Sequence, residues 1–182
     1  MSEVVEAYQP VIGHPLLVPV DFSDCSTSAL VYGARLVKGT STPLLVLHVV
    51  HDSPGTPGVY RRHDENHPSR PMIDTAAEML DELLADLRKQ YPELPALETA
   101  RLRLIHGLPG KRILEVAVQE RAVMILMGTH GRNGIAHFLQ GSVAEYVSKH
   151  AGVPVTTVRE REMAAVKLNL DSLITAAGQG VR

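Results

Sequence analysis

The chain has 182 residues, 45% of them hydrophobic, and a formal net charge of −2. That length suits one domain with a core large enough to need no staples, and the near-neutral charge supplies no general basic field for non-specific nucleic-acid binding. One cysteine, Cys25, excludes an internal disulfide framework; no apolar run is long enough to span a bilayer; and few aromatics with no Trp argue against base-stacking or carbohydrate platforms.

Residues 1–13 form an acidic, mixed arm without the basic flank and apolar stretch of a signal peptide, so the cytoplasm is the expected location. Leu16, Leu17, Val18, Pro19 and Val20 read as a buried strand ending at Asp21, with Ser23 placed to cap a helix over about 24–38. On that helix Leu30, Gly33, Ala34 and Val37 share a face, and Gly39 is a stop signal. Pro19 removes a ladder donor and is expected near the strand's exit. Residues 44–50 are nearly continuous in apolar side chains, as in a parallel strand covered on both faces. The stretch 51–71, rich in Pro, Gly, His and charge, reads as a long surface excursion.

Ile73, Ala76, Ala77, Leu80, Leu83, Leu84 and Leu87 then recur at helical spacing until Tyr91 and Pro92. A strand is expected over 97–106, alternating around Leu102 and Leu104. Pro109 begins a helix with a predicted stripe of Ile113, Leu114, Ala117 and Val118. Residues 122–127 form an apolar strand running into Gly128; a helix is expected from about Gly141 to before Gly152; and 153–158 is the last strand, whose Pro154 implies an edge or a strand start. The alternation predicts an α/β fold, a doubly wound open sheet of about five parallel strands with helices on both faces, Rossmann-like in kind. The expected division is an arm at 1–13, a domain at 14–160 and a tail at 161–182, in which Val166, Leu170, Leu173, Ile174 and Ala177 could line one helical face.

The stretch that carries chemistry is Gly128-Thr129-His130-Gly131, followed after nine intervening residues by Gly141-Ser142: G-x2-G-x9-G-S. Glycines let a phosphate approach the backbone without a Cβ in the way, and successive N–H groups make an anion-binding concavity. Gly141 and Ser142 at a helix start add unpaired N–H groups, the positive end of the dipole and a hydroxyl. In an open α/β sheet the carboxyl ends of the strands, at the switch point, are where ligands bind.

With Val18-Pro19-Val20-Asp21-Phe22-Ser23, Leu47-His48-Val49, Met127-Gly128-Thr129-His130-Gly131, Gly141-Ser142-Val143-Ala144 and Val153-Pro154-Val155 in this order, the chain resembles the universal stress proteins, specifically their ATP-binding branch, over about residues 15–158. The resemblance implies that Asp21 and the backbone at Val49 receive adenine, with Pro19 and Val20 beside them. It further implies that Gly128, Thr129, His130, Gly131, Gly141, Ser142 and Val143 line ribose and phosphates, and that magnesium or manganese accompanies ATP. It also implies a homodimer paired through the last strand, and a signalling role with an unspecified partner. Val123 stands where the family often carries an acidic residue, suggesting a more buried approach to that strand.

Other candidates are weaker. His63, Asp64, Glu65 and His67 have metal-capable side chains but lack a supporting helix, and a solvated loop explains them better; no protein metal site is expected. Gly107-Leu108-Pro109-Gly110-Lys111 is too short for a phosphate loop and lacks the Lys-Ser/Thr ending, so it reads as a strand-to-helix turn. Cys25 near a helix start has no identified base partner. No Ser-His-Asp or paired-carboxylate order is evident, so no catalytic residue is assigned. A binding module is favoured over a slow ATP hydrolase or phosphotransferase, for which only Asp21, His130 and Arg132 are candidates, and over a nucleotide-free dimeric scaffold.

Overall fold

The computed structural model describes residues 13–51, 71–128 and 142–158. The stretch 52–70, which holds His63–His67, and the residues beyond 158 lie outside the described residues, as does nearly all of the N-terminal arm. The elements are β1 (Leu16–Val20), α1 (Asp24–Leu36), β2 (Leu44–Val50), α2 (Met72–Gln90), β3 (Arg101–His106), α3 (Pro109–Gln119), β4 (Met124–Gly128), α4 (Ser142–His150) and β5 (Val155–Val158).

All five strands are parallel, in the order β3-β2-β1-β4-β5. The chain therefore walks outward from β1 to β3, returns past its start, and walks the other way. With right-handed crossovers, that reversal puts the later helices on the opposite face from the earlier ones. The core divides accordingly. Leu16, Val18 and Val20 of β1 pack with Leu30 and Ala34 of α1 and with Leu80 and Leu84 of α2. Leu17 of β1, Leu45 and Leu47 of β2 and Ile125 of β4 pack with Ile113, Val116 and Ala117 of α3 and Val147 of α4. Period-two alternation along β1 feeds both layers, which is why every residue of β1 and β2 is buried.

Ser23 caps α1, its Oγ accepting from the Ser26 N–H at 3.2 Å. The α1 face of Leu30, Gly33, Ala34 and Val37 is buried as its spacing implies. Pro154 lies just ahead of edge strand β5 and passes its carbonyl to Ile125 N–H at 2.9 Å.

Three local expectations are corrected. Residues 95–97 form a 3-10 turn rather than the start of β3, because Pro95 presets the first turn and the turn carries Leu97, fully buried, into the α1–α2 core. Val118 is 75% exposed; the buried stripe of α3 is Ile113, Val116 and Ala117, the i, i+3, i+4 set, from which Val118 is rotated by one residue. Val123 is also exposed, so the approach to β4 is not more buried; Ala122 beside it is the inward residue.

The β3 edge is closed by charge. Glu120, just beyond α3, receives Arg101 and Arg103 on its two carboxylate oxygens, both at 2.8 Å, and Arg103 also donates to Gln119. Charged side chains along an exposed strand discourage pairing with another chain.

Candidate functional site

Strand β1 is zipped to β2 along its whole length, Leu16↔Leu44 through Val20↔His48, but to β4 only at Leu16↔Met124 and Leu17↔Ile125. Pro19 explains where the second seam stops. Leu16 N–H turns to the β2 side, donating to Pro43 O, while Pro15 O turns to the β4 side, accepting from Val123 N–H, both at 2.9 Å. Backbone groups alternate along a strand, so the nitrogen of Pro19 faces β4, where it has no hydrogen to give. The missing donor thus falls just beyond the last β1–β4 pair, at the exit end of a central strand. Beyond it β4 continues with β5 to Gly128↔Val158, leaving a crevice between Pro19–Asp21 and Met127–Gly128 at the switch point.

The floor of that crevice is the first turn of α1. A Cβ on Gly128 would lie 2.8 Å from the carbonyl carbon of Cys25, and 2.9 Å from both its oxygen and its Cβ. Gly128 is therefore required by close approach of helix backbone to strand end, independently of any ligand. Cys25 itself is buried beneath this contact.

Asp21 stands exposed at the mouth. Its Oδ1 accepts from Ser23 N–H at 3.1 Å and from Ser23 Oγ at 2.5 Å, while its own N–H donates to Ser26 Oγ at 3.2 Å. Among the described residues nothing donates to its Oδ2. One oxygen shapes the turn and the other, on an exposed residue, keeps its acceptor capacity among the described residues, the chemistry required to receive an exocyclic amine. Phe22 follows at φ 61°, a left-handed conformation costing a non-glycine residue about 1–2 kcal/mol. On β2, Val50 O accepts from Gly107 N–H on the β3 side, so the peptide groups of Val49 turn toward β1, one residue past Val20↔His48. The Val49 side chain packs inward with the α3 layer, leaving its backbone as the part presented at the mouth.

The structure thus brings Pro19, Val20, Asp21, Val49 and Gly128 together at one end of the sheet. Ser142 opens α4 and Val143 is half-buried against the α3–α4 layer. Thr129, His130, Gly131 and Gly141 lie outside the described residues, as does the side chain of Ser142. His48 enters the sequence reading only within the Leu47-His48-Val49 motif, with no role assigned to it. It is 3% exposed, its Nδ1 lies 2.8 Å from Val20 O, and its ring centroid is 4.4 Å from that of Phe22. A single polar residue inside an otherwise apolar strand is the signal that could have found it, since a buried polar group needs a partner.

Gly107 is at φ 138° and Pro109 opens α3, so 107–108 turn the chain from β3 into the helix, the strand-to-helix connection its residues implied. A separate hollow of about 310 Å³ lies against β3, with Arg103, His106, Arg112 and Glu115 in its lining. Its arginines are engaged: Arg112 donates to His106 O and pairs with Glu115, and Arg103 is held by Glu120. Among the described residues no group of three or more His, Cys, Asp or Glu could hold a metal ion, and no helix is long and apolar enough to cross a membrane.

The family model described as the universal stress protein family matches residues 14–159. A universal stress protein of Methanocaldococcus jannaschii is 27% identical over 147 residues, covering 80% of this chain and 81% of its own length. Some mycobacterial relatives are longer, and this chain spans about half of them, 46% of one from Mycolicibacterium smegmatis. Among solved structures, a universal stress protein of Lactobacillus plantarum superposes with a TM-score of 0.61 at 25% identity, over 81% of this chain and 99% of that one. One of Archaeoglobus fulgidus in complex with dAMP does so with a TM-score of 0.55 at 25% identity, over 80% and 98%. The match spans every strand of the sheet and both walls of the crevice at its switch point, and the chain belongs to the universal stress protein family.

Proposed function

We propose that this chain is an adenine-nucleotide-binding signalling module that takes ATP at the β1–β4 crevice. The observation that carries the reading is Asp21: one carboxylate oxygen is committed to the Ser23 turn, and the other is presented at the mouth without a donor among the described residues. A base offering an amine satisfies that oxygen, whereas guanine offers a carbonyl at the corresponding position. The Val49 backbone supplies the second contact to the base, with Pro19 and Val20 as the neighbouring wall. Gly128 begins the run through Thr129, His130, Gly131, Gly141, Ser142 and Val143 that holds ribose and phosphates, with magnesium or manganese carried by the phosphates. The complex of the Archaeoglobus fulgidus relative with dAMP supports an adenine nucleotide as the ligand class.

The same reading places the protein in the cytoplasm, with 14–160 as the working domain between the arm and the tail, and pairs two copies through β5. Among the described residues that strand is the sheet edge opposite the arginine-lined β3, and its partly exposed Val155 is apolar. The test is calorimetric titration of nucleotide-stripped protein with ATP and magnesium, GTP serving as control. ATP is expected to bind roughly 10- to 100-fold more tightly, the value of one hydrogen bond to a charged group. Absent or base-indifferent binding by folded protein would remove the adenine reading.

A further inference from the structure

We infer that His48 is a positioning residue that aims the Asp21 carboxylate, and so governs base selectivity without touching the nucleotide. The inference rests on the proposed role of Asp21. His48 holds the residues on both sides of it. Its Nδ1 meets Val20 O at 2.8 Å; a carbonyl only accepts, so Nδ1 carries the hydrogen and the ring is held in one tautomeric orientation. The peptide between Val20 and Asp21 is planar, and its opposite end, the Asp21 N–H, donates to Ser26 Oγ at 3.2 Å. Fixing the carbonyl therefore fixes the N–H, and the plane from which the Asp21 side chain departs.

On the other side, the His48 ring packs on Phe22 at 4.4 Å and 44°. Phe22 is the residue held at φ 61°, the conformation that turns the chain so that Ser23 reaches back to Asp21 Oδ1. Phe22 also packs toward Val50 and Ala76, so the contact is anchored in the α2 layer. The His48 side chain is 3% exposed, below the mouth, and is placed to support the turn.

Two substitutions separate the Val20 and Phe22 contacts. His48→Phe keeps a ring against Phe22 and removes the donor; His48→Asn places an amide N–H where Nδ1 stands and removes the ring. The first readout is amide hydrogen exchange in the ligand-free protein at Asp21, Ser23 and Ser26, with the amides of Ile125 and Ala151 as distant references. His48→Phe is expected to lower protection at the three turn amides by about tenfold and leave the references unchanged, and His48→Asn to restore most of the protection. The second readout is the ATP-to-GTP affinity ratio, expected to fall toward one in His48→Phe and to recover in His48→Asn.

Unchanged turn protection, or a loss shared equally with Ile125 and Ala151, would overturn the positioning role. Local loss of protection with an unaltered nucleotide ratio would overturn its link to selectivity. A wild-type chain that binds neither nucleotide would sink the adenine reading and the selectivity link with it, while the exchange result would still decide whether His48 positions Asp21.

Discussion

Strand β1 has two neighbours and treats them differently. Against β2 it is paired from end to end; against β4 it is paired at two positions and then parts. Both seams are lined by buried, mainly apolar side chains, so burial does not distinguish them. What distinguishes them is a donor: Pro19 turns its hydrogen-less nitrogen toward β4, just past the last pair, and the chain reverses its direction of travel across the sheet at that same seam. Hydrophobic burial makes the strand, while one missing N–H and the strand order together open it on one side.

The open seam should be the more sensitive place to disturb. Gly128→Val puts a side chain onto the backbone of Cys25, which cannot move without displacing the start of α1. Thermal or urea unfolding should show a loss of about 3 kcal/mol, the upper end of ordinary overpacking, together with loss of ATP binding. Stability equal to wild type would mean that α1 does not press on β4 as described. Asp21→Asn comes next. It keeps an acceptor for Ser23 and replaces the second carboxylate oxygen with an amide NH2, so the turn survives while that group changes from acceptor to donor. ATP should weaken by about 1.5–3 kcal/mol and the ratio to GTP should fall or invert; a retained ratio would remove Asp21 from base recognition. Asp21→Ala is the poorer experiment, because it deletes the Ser23 contacts as well.

The closed β3 edge should respond less. Glu120→Gln sets an amide beside Arg101 and Arg103, whose side chains are about one-third exposed, and should cost about 1 kcal/mol by urea unfolding without altering nucleotide affinity. A change in affinity would show that the two regions are coupled. The smallest effect belongs to the α4 surface. A hydrogen bond and the charge of Lys149, 2.6 Å away, hold the Glu145 carboxyl below its ordinary range. A depressed carboxylate pKa adds stability that is fully present above the unfolded value and is lost as pH falls through the folded one. Lys149→Ala should therefore differ slightly from wild type at neutral pH and converge with it in acid, as followed by urea midpoints; a difference that grew in acid would contradict the pairing.

Much of the fold was legible because period and punctuation agree. Residues 44–50 are apolar but for His48, Ser23 caps where a cap is needed, and Pro154 stands just ahead of an edge strand. The misses came where local pattern was ambiguous. Leu97 is as apolar as a strand residue but is carried by a 3-10 turn, and Val118 is apolar yet one residue off the buried stripe. Within the candidate site, Asp21 and Gly128 could be proposed from their places at strand ends, while Gly131 and Gly141, proposed from their spacing, lie outside the described residues. That Asp21 commits one oxygen to Ser23, that Pro19 faces β4, and that His48 reaches Val20 all depend on which strands are neighbours, which no local window contains.

The central claim is that adenine nucleotide enters at the open seam of β1, and nuclear magnetic resonance of the ¹⁵N-labelled chain titrated with ATP and magnesium tests it most directly. The account predicts that the amides of Asp21, Ser23, Val49 and Gly128 shift together and saturably, while Arg103 and Arg112 at the β3 hollow stay in place. Shifts concentrated at the hollow, with the β1 mouth unmoved, would contradict it.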